Sequence, residues 1–337
     1  MTYDEFDDYD SDLNDHEDEL SDGFGVVSRF RGDNDLSELD DLDSMAEVFL
    51  ARFDRQREDD EPVLKATTPA PVRALHEEAI EGFRSPAPFE GVGVALCTIF
   101  DDQGKLDAAA TADLASQLVD CGVAALVVAG TTGEAVTLSR KERRKLVKKV
   151  VGAVQGAVPV FAGTGAPSAH QAVRYTADAV DLGVDGLLVL SPQNVDDPRR
   201  YYDAVGKDSG GVPVLSYHYP KWSAPGVPLG VLNDLPVAGI KDSSGDAKRM
   251  LETITEYSGA FYTGSESLLT AAGSLGAAGA ISGLANVEPE LCMRAFEADA
   301  EAQRELTSLV QMCGRGFPST LKELVAARYG VSSVSRL

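Results

Sequence analysis

Few residues of this chain suit a metal or disulfide site. Its 337 residues include only four cysteines and four histidines, and none of them stands in a C-x-x-C or H-x-x-x-H spacing. The cysteines are far apart, at Cys97, Cys121, Cys292 and Cys313. Such isolated cysteines favour reduced thiols packed in a core over disulfides or a zinc site. We therefore predict no metal.

Long apolar runs and basic clusters are scarce as well. No run approaches the length that spans a bilayer, and the acidic first residues do not suit a signal peptide, so we predict no membrane partner and a cytoplasmic location. The net charge of −24 argues against nucleic acid, because phosphate contacts need clustered Lys and Arg. The one basic cluster, Arg140 to Lys149, alternates with apolar residues on a predicted helix, which is typical of a solvated helix face.

The acidic residues are concentrated in one part of the sequence. Residues 1–86 carry 26 acidic against 8 basic side chains, a net charge of −18, whereas residues 87–337 have a net charge of −6. We predict two regions: 1–86, an acidic and largely disordered extension, and 87–337, the folded body. Apolar residues at helical spacing predict one short helix within 37–58, which docks on the body, binds a partner or stays transient in the tail.

The body alternates short β-rich runs with helical patterns. The predicted strands are Val92–Thr98, Ala124–Ala129, Val158–Gly163, Gly186–Leu190, Val212–Tyr217, Val237–Lys241, Ala260–Thr263 and Ala278–Ser282. Two helix starts carry capping boxes, Ser139 with Glu142 and Ser168 with Gln171. Eight β/α units over about 200 residues predict an α/β fold, a (β/α)8 TIM barrel. The alternative, a doubly wound open sheet, usually has fewer strands, and Gly163-Thr164-Gly165 lacks the third glycine of a dinucleotide fingerprint.

One predicted strand, Val237–Lys241, ends on a lysine and breaks into a Ser/Gly/Asp turn. An ammonium at the end of a buried strand is costly to desolvate, so the pKa of Lys241 should fall. A lysine with a lowered pKa exposes its free amine and can attack a ketone to form a Schiff base. The alternative is a lysine that pairs with Asp242 or extends to solvent.

Polar residues follow several strands at the same predicted end of the barrel, where active sites of this fold lie. Tyr217 ends the strand before Lys241 and suits a proton relay, although it could also be an aromatic filler. Gly130-Thr131-Thr132-Gly133 offers backbone N–H groups and two hydroxyls that could hold a small carboxylate, or it is a plain turn. Together these residues indicate a 2-keto acid whose carboxylate is held while its ketone meets the amine.

Four motifs carry a resemblance to a known family. Gly-Thr-Thr-Gly-Glu (130–134), Tyr-His-Tyr-Pro (217–220), Gly-Ile-Lys-Asp (239–242) and Gly-Ala-Ile-Ser (279–282) resemble, in order and spacing, the dihydrodipicolinate synthase / N-acetylneuraminate lyase family of class I pyruvate aldolases. The match covers roughly residues 90–330.

The resemblance implies a (β/α)8 barrel, a homo-oligomer (dimer or tetramer), and pyruvate bound as a lysine imine without any other cofactor. It assigns the site residues as follows: Lys241 as Schiff-base residue, Tyr217 as proton relay, Thr131 and Thr132 with Gly130 as carboxylate binders, and Ile281 as a backbone carbonyl near the substrate. Ser282, in the last motif, is a further candidate.

Four departures from the family pattern bear on the substrate or on the quaternary structure. Where the family often has asparagine after the tyrosine, this chain has His218. The synthases carry an arginine two residues beyond the proline of the tyrosine motif, to hold a second carboxylate, whereas this chain has Trp222 there with Lys221 beside it. The usual Pro-Tyr-Tyr after the fourth strand is replaced by Pro192-Gln193-Asn194. The sequence ends at Leu337, so we expect a shortened C-terminal helical extension.

The missing arginine weighs against the synthases, and the Tyr-x-Tyr-Pro and Ile-Lys-Asp pattern is similar to 2-keto-3-deoxygluconate aldolases. The first hypothesis is a lyase that reversibly cleaves a 2-keto-3-deoxy sugar acid to pyruvate and an aldehyde. The second is the synthase reaction, condensing pyruvate with aspartate semialdehyde, in which Lys221 replaces the arginine as a point charge. The third is a non-catalytic barrel that binds keto acids.

Overall fold

The computed structural model describes residues 86–337. The predictions for the acidic extension, including its disorder and the short helix within 37–58, concern residues outside this range. They stay predictions.

The described chain forms one closed parallel barrel, in the order β1 to β8 with β8 returning to β1. The strands are β1 Gly91–Ala95, β2 Ala125–Val128, β3 Val160–Gly163, β4 Gly186–Leu190, β5 Val214–His218, β6 Gly239–Asp242, β7 Ala260–Thr263 and β8 Gly279–Ser282. Each lies at a predicted strand, and the predicted (β/α)8 barrel is confirmed. Every strand is buried because helices or helical turns cover the outside.

Nine α-helices lie in the described chain. Six connect the strands: α1 Ala108–Asp120, α2 Arg140–Val154, α3 Ala169–Asp181, α4 Arg199–Lys207, α5 Ala247–Glu256 and α6 Leu269–Ser274. Three follow β8: α7 Pro289–Phe296, α8 Ala300–Arg315 and α9 Ser319–Tyr329. Short 3₁₀ segments are Ala135–Thr137, Leu229–Asp234, Glu266–Leu268 and Leu284–Asn286. Within residues 86–337 no helix is long and apolar enough to cross a membrane.

The two predicted helix starts differ in outcome. At α2, the Ser139 hydroxyl accepts from the Glu142 N–H and the Glu142 carboxylate accepts from the Ser139 N–H, so the capping box is complete. At α3, the Ser168 hydroxyl accepts from the Gln171 N–H, but the Gln171 amide donates to the Tyr175 hydroxyl instead of completing the box. The Gln171 side chain therefore bonds to the Tyr175 hydroxyl, one turn further along the helix, and not to the Ser168 backbone.

The first strand is shorter than predicted, ending at Ala95 rather than at Thr98. The Cys97 N–H donates to Asn286 Oδ1 at 2.9 Å, and the Thr98 hydroxyl donates to the Gly133 carbonyl at 2.7 Å. The polar groups of residues 97 and 98 thus bond to residues outside the neighbouring strands, so the strand hydrogen-bond pattern of β1 ends at Ala95. Residues 96–98 thereby join β1 to the turn after β2.

The amino-terminal end of the barrel is closed by aromatic packing. Phe89, just before β1, stacks on Tyr262 with ring centroids 4.5 Å apart, and the Tyr262 hydroxyl donates to the Phe89 carbonyl. All four cysteines are free thiols, and Cys97, Cys292 and Cys313 are buried. The apolar closure leaves the opposite end for polar chemistry.

Gly163 and Gly165 have a packing role. A Cβ on Gly163 would lie 2.1 Å from the Ala129 carbonyl oxygen, and one on Gly165 would lie 2.5 Å from the Leu190 nitrogen. Backbone from neighbouring strands approaches both positions too closely for any side chain. This close approach accounts for two glycines that resemble part of a nucleotide-binding fingerprint.

Candidate active site

Lys241 and Tyr217 face each other on adjacent strands. They are register partners of β6 and β5, and the Lys241 Nζ lies 4.7 Å from the centroid of the Tyr217 ring. Both residues are buried, with exposed fractions of 5% and 4%. The sequence prediction that a lysine and a tyrosine meet at the carboxyl ends of neighbouring strands is therefore confirmed.

The Lys241 amine has no hydrogen-bond or ion-pair partner among the described residues. Successive side chains of a strand point to opposite faces, and the next one, Asp242, pairs with Arg249 of α5 at 2.8 Å. Burial lowers the pKa of Lys241 to about 8, and the charge of Glu266 opposes part of this shift. The structure excludes the two alternatives, a pair with Asp242 and a solvent-exposed lysine.

A glycine leaves space for the lysine side chain. A Cβ on Gly264, just after β7, would lie 2.6 Å from Lys241 Cε and 2.0 Å from the Ser243 hydroxyl oxygen. The Ser243 hydroxyl in turn donates to the Gly264 carbonyl. The absence of a side chain at Gly264 thus allows β6 and β7 to enclose the amine closely.

Tyr217 lies among hydroxyl groups. Burial raises its pKa well above the usual value, while the Ser243 and Thr131 side chains that approach the phenol offset a part of this shift. The Tyr219 ring stacks on the Tyr217 ring with centroids 5.8 Å apart. The phenol is therefore protonated at neutral pH and placed to exchange a proton with a neighbouring hydroxyl.

The turn after β2 has a strained backbone conformation at both of its ends and is held by internal hydrogen bonds. Ala129 and Glu134, at its two ends, adopt left-handed conformations with φ of 55° and 51°, which non-glycine residues rarely adopt. The Glu134 N–H donates to the Thr131 carbonyl, and the Thr98 hydroxyl holds the Gly133 carbonyl. These hydrogen bonds hold the backbone of the turn in its left-handed bends.

An open cavity of about 520 Å³ lies over this part of the barrel mouth. Its lining residues are Ala129, Gly130, Thr131, Ala135, Val136, Arg143, Gly163, Gly165, Leu188, Leu190, Tyr217, Trp222 and Leu337. Lys241 is not among them, but Tyr217 lines the cavity and also contacts Lys241. Tyr217 therefore joins the cavity to the amine.

The structure brings only some of the predicted site residues to this cavity. Gly130, Thr131, Tyr217 and Trp222 line it. Thr132 is buried and its hydroxyl lies towards Gly283, whereas Lys221 is exposed and lies outside the lining.

Neither of the two candidates on β8 lines the cavity. Ile281 is fully buried in the apolar cluster that contains Tyr217. The Ser282 hydroxyl donates to Glu266 at 2.9 Å and accepts from the Ala285 N–H. In this structure the Ser282 side chain thus holds the turn after β8.

Gln193 does not replace the second tyrosine of the family pattern. Its side chain is exposed, and its amide donates to the Trp222 carbonyl at 2.6 Å. Asn194 adopts a left-handed conformation with φ of 57°, and its N–H donates to the Ala224 carbonyl. This pair therefore supports the loop that carries Trp222.

His218, where the family often has asparagine, is a structural acceptor. Its Nδ1 accepts from the Val227 N–H at 2.9 Å. Burial lowers its pKa to about 4. The imidazole is therefore neutral at physiological pH and holds the loop after β5.

Two residues near the site were missed by the sequence analysis. The Glu266 carboxylate accepts from the Gly283 and Leu284 N–H groups, and its charge acts on Lys241. Arg143 belongs to the basic cluster that was interpreted as a solvated face, but its guanidinium donates to the carbonyls of Gly163 and Ala135. The interpretation was wrong for Arg143, because helical spacing alone does not show that one turn of α2 faces the cavity.

Comparisons with known proteins identify the family of this chain. The model of the dihydrodipicolinate synthetase family matches residues 88–331. A Halobacterium salinarum protein named an uncharacterized DapA-like lyase is 37% identical over 259 residues, covering 73% of this chain and 81% of the relative.

Two further relatives carry more specific descriptions. The 4-hydroxy-tetrahydrodipicolinate synthase of Salinibacter ruber is 32% identical, with 71% of this chain and 85% of the relative covered. A prophage protein of Escherichia coli K12, solved in complex with pyruvate, superimposes with a TM-score of 0.67 at 25% identity, covering 73% of this chain and 91% of that one. Enzymes of this family are aldolase-type carbon–carbon lyases that use a lysine–pyruvate imine and no separate cofactor. The chain belongs to the dihydrodipicolinate synthetase family.

Proposed function

We propose that this protein is a pyruvate-dependent class I aldolase that reversibly cleaves a 2-keto-3-deoxy sugar acid to pyruvate and an aldehyde. The observation that carries the proposal is the buried, unpartnered amine of Lys241, whose pKa is lowered to about 8, beside Tyr217. At pH 7 a group with this pKa is free amine in about a tenth of molecules, whereas an ordinary lysine is neutral in well under about 0.1%. Burial thus supplies the nucleophile.

The chemistry follows from these groups. Lys241 Nζ attacks C2 of the keto acid and expels water, which leaves an iminium. The C4 hydroxyl loses its proton, the C3–C4 bond breaks, and its electron pair moves onto the iminium nitrogen to give an enamine while the aldehyde leaves. C3 then takes a proton, and hydrolysis of the imine releases pyruvate and restores Lys241.

Tyr217 is the proposed proton relay for the C4 hydroxyl. Its raised pKa keeps the phenol protonated, so it accepts the substrate proton only as it passes its own to the hydroxyl of Thr131 or Ser243, which in turn releases its proton to water in the open cavity. Thr131 and the Gly130 backbone line the cavity next to it and are proposed to hold the pyruvate carboxylate.

The cavity favours a sugar acid over a dicarboxylate product. Arg143 is the one cationic side chain among its lining residues, and two of its nitrogens already donate to backbone carbonyls. Trp222 lies there, whereas Lys221 is exposed outside the lining. A second carboxylate therefore has no free bidentate partner of the kind that guanidinium groups provide.

The synthase reaction is a second candidate because curated relatives carry that name. It requires pyruvate and aspartate semialdehyde as substrates. Under this hypothesis, Lys221 turns inward as a point charge for the aldehyde's carboxylate, so Lys221→Ala would cause a severe loss of activity. Under the sugar-acid hypothesis, Lys221→Ala leaves cleavage within about twofold, as is usual for an exposed side chain that contributes little.

Borohydride reduction tests the shared first step. Pyruvate and borohydride should add a pyruvate-sized mass to the peptide that contains Lys241, and Lys241→Arg should abolish the adduct. Lys322, which is buried and ion-paired, is the internal control and should stay unmodified. Turnover without any adduct at Lys241 would refute the proposal.

An aldehyde screen then separates the two reactions. Pyruvate is supplied with glyceraldehyde, with glyceraldehyde phosphate or with aspartate semialdehyde, and product formation is followed. Turnover of aspartate semialdehyde alone would replace the sugar-acid assignment with the synthase assignment.

A further inference from the structure

Residues 331–337, called here the rim segment, run without regular secondary structure from the end of α9 to the barrel mouth. Gly330 ends α9 in a left-handed conformation, which turns the chain back toward the strands. Leu337 reaches the substrate cavity and lines it together with Thr131, Tyr217 and Trp222. A segment far from the family motifs in sequence thus forms part of the cavity wall.

Glu134 anchors the rim segment to the turn that carries Thr131. One carboxylate oxygen accepts from the Lys322 ammonium at 2.6 Å. The other accepts three hydrogen bonds from the rim segment, from the Ser335 hydroxyl and from the Arg336 and Leu337 N–H groups. The side chains of Glu134 and Lys322 are both 0% exposed, so these bonds form in a place that excludes water and are strong.

Arg336 fastens the same segment to two loops. Its guanidinium donates to the Gly104 carbonyl, the Thr137 carbonyl and the Glu142 carboxylate. It also lies over the Phe100 ring, 4.2 Å from the centroid. These contacts fix the direction from which the last residue enters the cavity.

The anchor and the pyruvate turn share one residue. Glu134 holds a left-handed backbone, and its N–H bonds to the Thr131 carbonyl. A strained backbone persists only where the surroundings hold it, and here the surroundings of the side chain are the rim segment and Lys322. The rim segment therefore holds the turn in its conformation and also contributes Leu337 to the wall of the neighbouring cavity.

We propose that Leu337 is a specificity-determining residue, forming the wall that limits the length of the aldehyde part of the substrate. The proposal rests on the aldolase function above, because it concerns the group that binds beyond pyruvate. Leu337 and Trp222 line the cavity from outside the barrel strands, whereas Leu188, Leu190 and Tyr217 line it from β4 and β5. Since Lys241 is not among the residues that line the cavity with Leu337, a change at Leu337 should alter aldehyde selectivity and leave imine formation unchanged.

Substitutions that enlarge and reduce the cavity test the proposal. Leu337→Ala should raise kcat/KM for a four-carbon aldehyde relative to glyceraldehyde, and Leu337→Trp should lower it; a pocket change of a few methylene groups alters such ratios about tenfold or more. Borohydride trapping of pyruvate on Lys241 should be equal in both variants and in wild type. Ser333→Ala, at an exposed position of the same segment, is the matched control and should leave the ratio unchanged.

A second readout does not depend on turnover. Trp222 is the single tryptophan of the chain, so acrylamide quenching of its fluorescence reports access to the cavity. Quenching should increase in Leu337→Ala, decrease in Leu337→Phe, which adds bulk without a second tryptophan, and stay equal in Ser333→Ala. Circular dichroism verifies that each variant is folded.

The outcomes separate the two proposals. Absence of a pyruvate adduct in wild type refutes the aldolase function, and quenching then decides whether Leu337 forms the cavity wall. With an adduct present, an aldehyde ratio that is equal in wild type, Leu337→Ala and Leu337→Trp overturns the role of Leu337 whatever the quenching shows.

Discussion

Two buried lysines of this protein, Lys241 and Lys322, both lie near an aromatic ring but differ in whether a carboxylate pairs with them. Lys241 is 5% exposed and lies 4.7 Å from the Tyr217 ring centroid; Lys322 is fully buried and lies 4.3 Å from the Phe100 ring centroid. Lys322 has a carboxylate partner, Glu134, but Lys241 has no direct partner among the described residues.

The difference shows what separates an unpaired buried amine from a paired one. Burial disfavours the charged form of any lysine, and only a nearby opposite charge with good geometry compensates. At Lys241 the nearest carboxylate by strand order, that of Asp242, is occupied by Arg249. The fold therefore leaves one buried amine unpaired and places it at the mouth of the barrel.

The largest expected effect is the loss of activity in Lys241→Met. Removing the nucleophile should reduce kcat at least about 10⁴-fold, as measured in the cleavage assay. The same variant should be more stable than wild type at pH 7 by about 3 kcal/mol, because the pKa shift from 10.5 to about 8 marks a desolvation penalty and each pKa unit corresponds to about 1.4 kcal/mol.

The size of that stability difference between wild type and Lys241→Met depends on pH. Below about pH 8 the amine is charged in both folded and unfolded wild-type protein, so the full penalty is present. Between about 8 and 10.5 only the unfolded state keeps the proton, so wild-type stability rises with pH. Urea unfolding of both proteins should show the difference shrinking over this range; a constant difference would contradict the lowered pKa.

Tyr217→Phe tests whether activity depends on the hydroxyl of Tyr217 or only on its ring. The substitution keeps the aromatic neighbour of Lys241 and removes the proton relay, so kcat should fall about 10²- to 10⁴-fold. Trapping of pyruvate on Lys241 should persist. Tyr219→Phe, at the stacked neighbour, is the control, and an equal loss in both variants would show that Tyr217 has no special role.

Lys322→Met should reverse the stability result obtained at Lys241. It leaves the Glu134 carboxylate buried without its ammonium, which costs about 3–5 kcal/mol in comparable pairs. The double variant Glu134→Leu with Lys322→Met should recover a part of this loss. Urea unfolding measures both, and a stabilised Lys322→Met protein would show that the two lysines do not differ as described.

The smallest expected effect is the pH dependence of imine formation. The free-amine fraction of a group with pKa about 8 rises about tenfold from pH 7 to pH 9. The trapping rate at limiting borohydride should follow this curve. A rate that still rises steeply above pH 10 would indicate an amine of ordinary pKa.

The sequence predicted those parts of the candidate site that depend only on where each strand ends. Lys241 and Tyr217 end apolar runs, and parallel strands in a barrel bring their carboxyl ends to one rim, so their meeting follows from order alone. The burial and the lowered pKa of Lys241 were predicted in the same way. The catalytic roles of these residues stay predictions.

Other parts of the site could not be predicted because they join distant segments. Glu134 belongs to a motif, but its partners Lys322 and Arg336 lie about 190 or more residues further along the chain. Arg143 has the spacing of a solvated helix face, and nothing local distinguishes it from its exposed neighbours. A predicted shortened C-terminal extension gave no indication that Leu337 would line the cavity.

By itself, the sequence determined the eight-stranded barrel, its active end and the lysine at that end, since apolar periodicity and strand order are local and the closure of a barrel follows from them. The tertiary structure alone decided which buried lysine is paired and which side chains enclose the cavity. Pairing depends on whether a carboxylate lies within a few ångströms, and that distance is set by how helices pack around the barrel rather than by spacing along the chain.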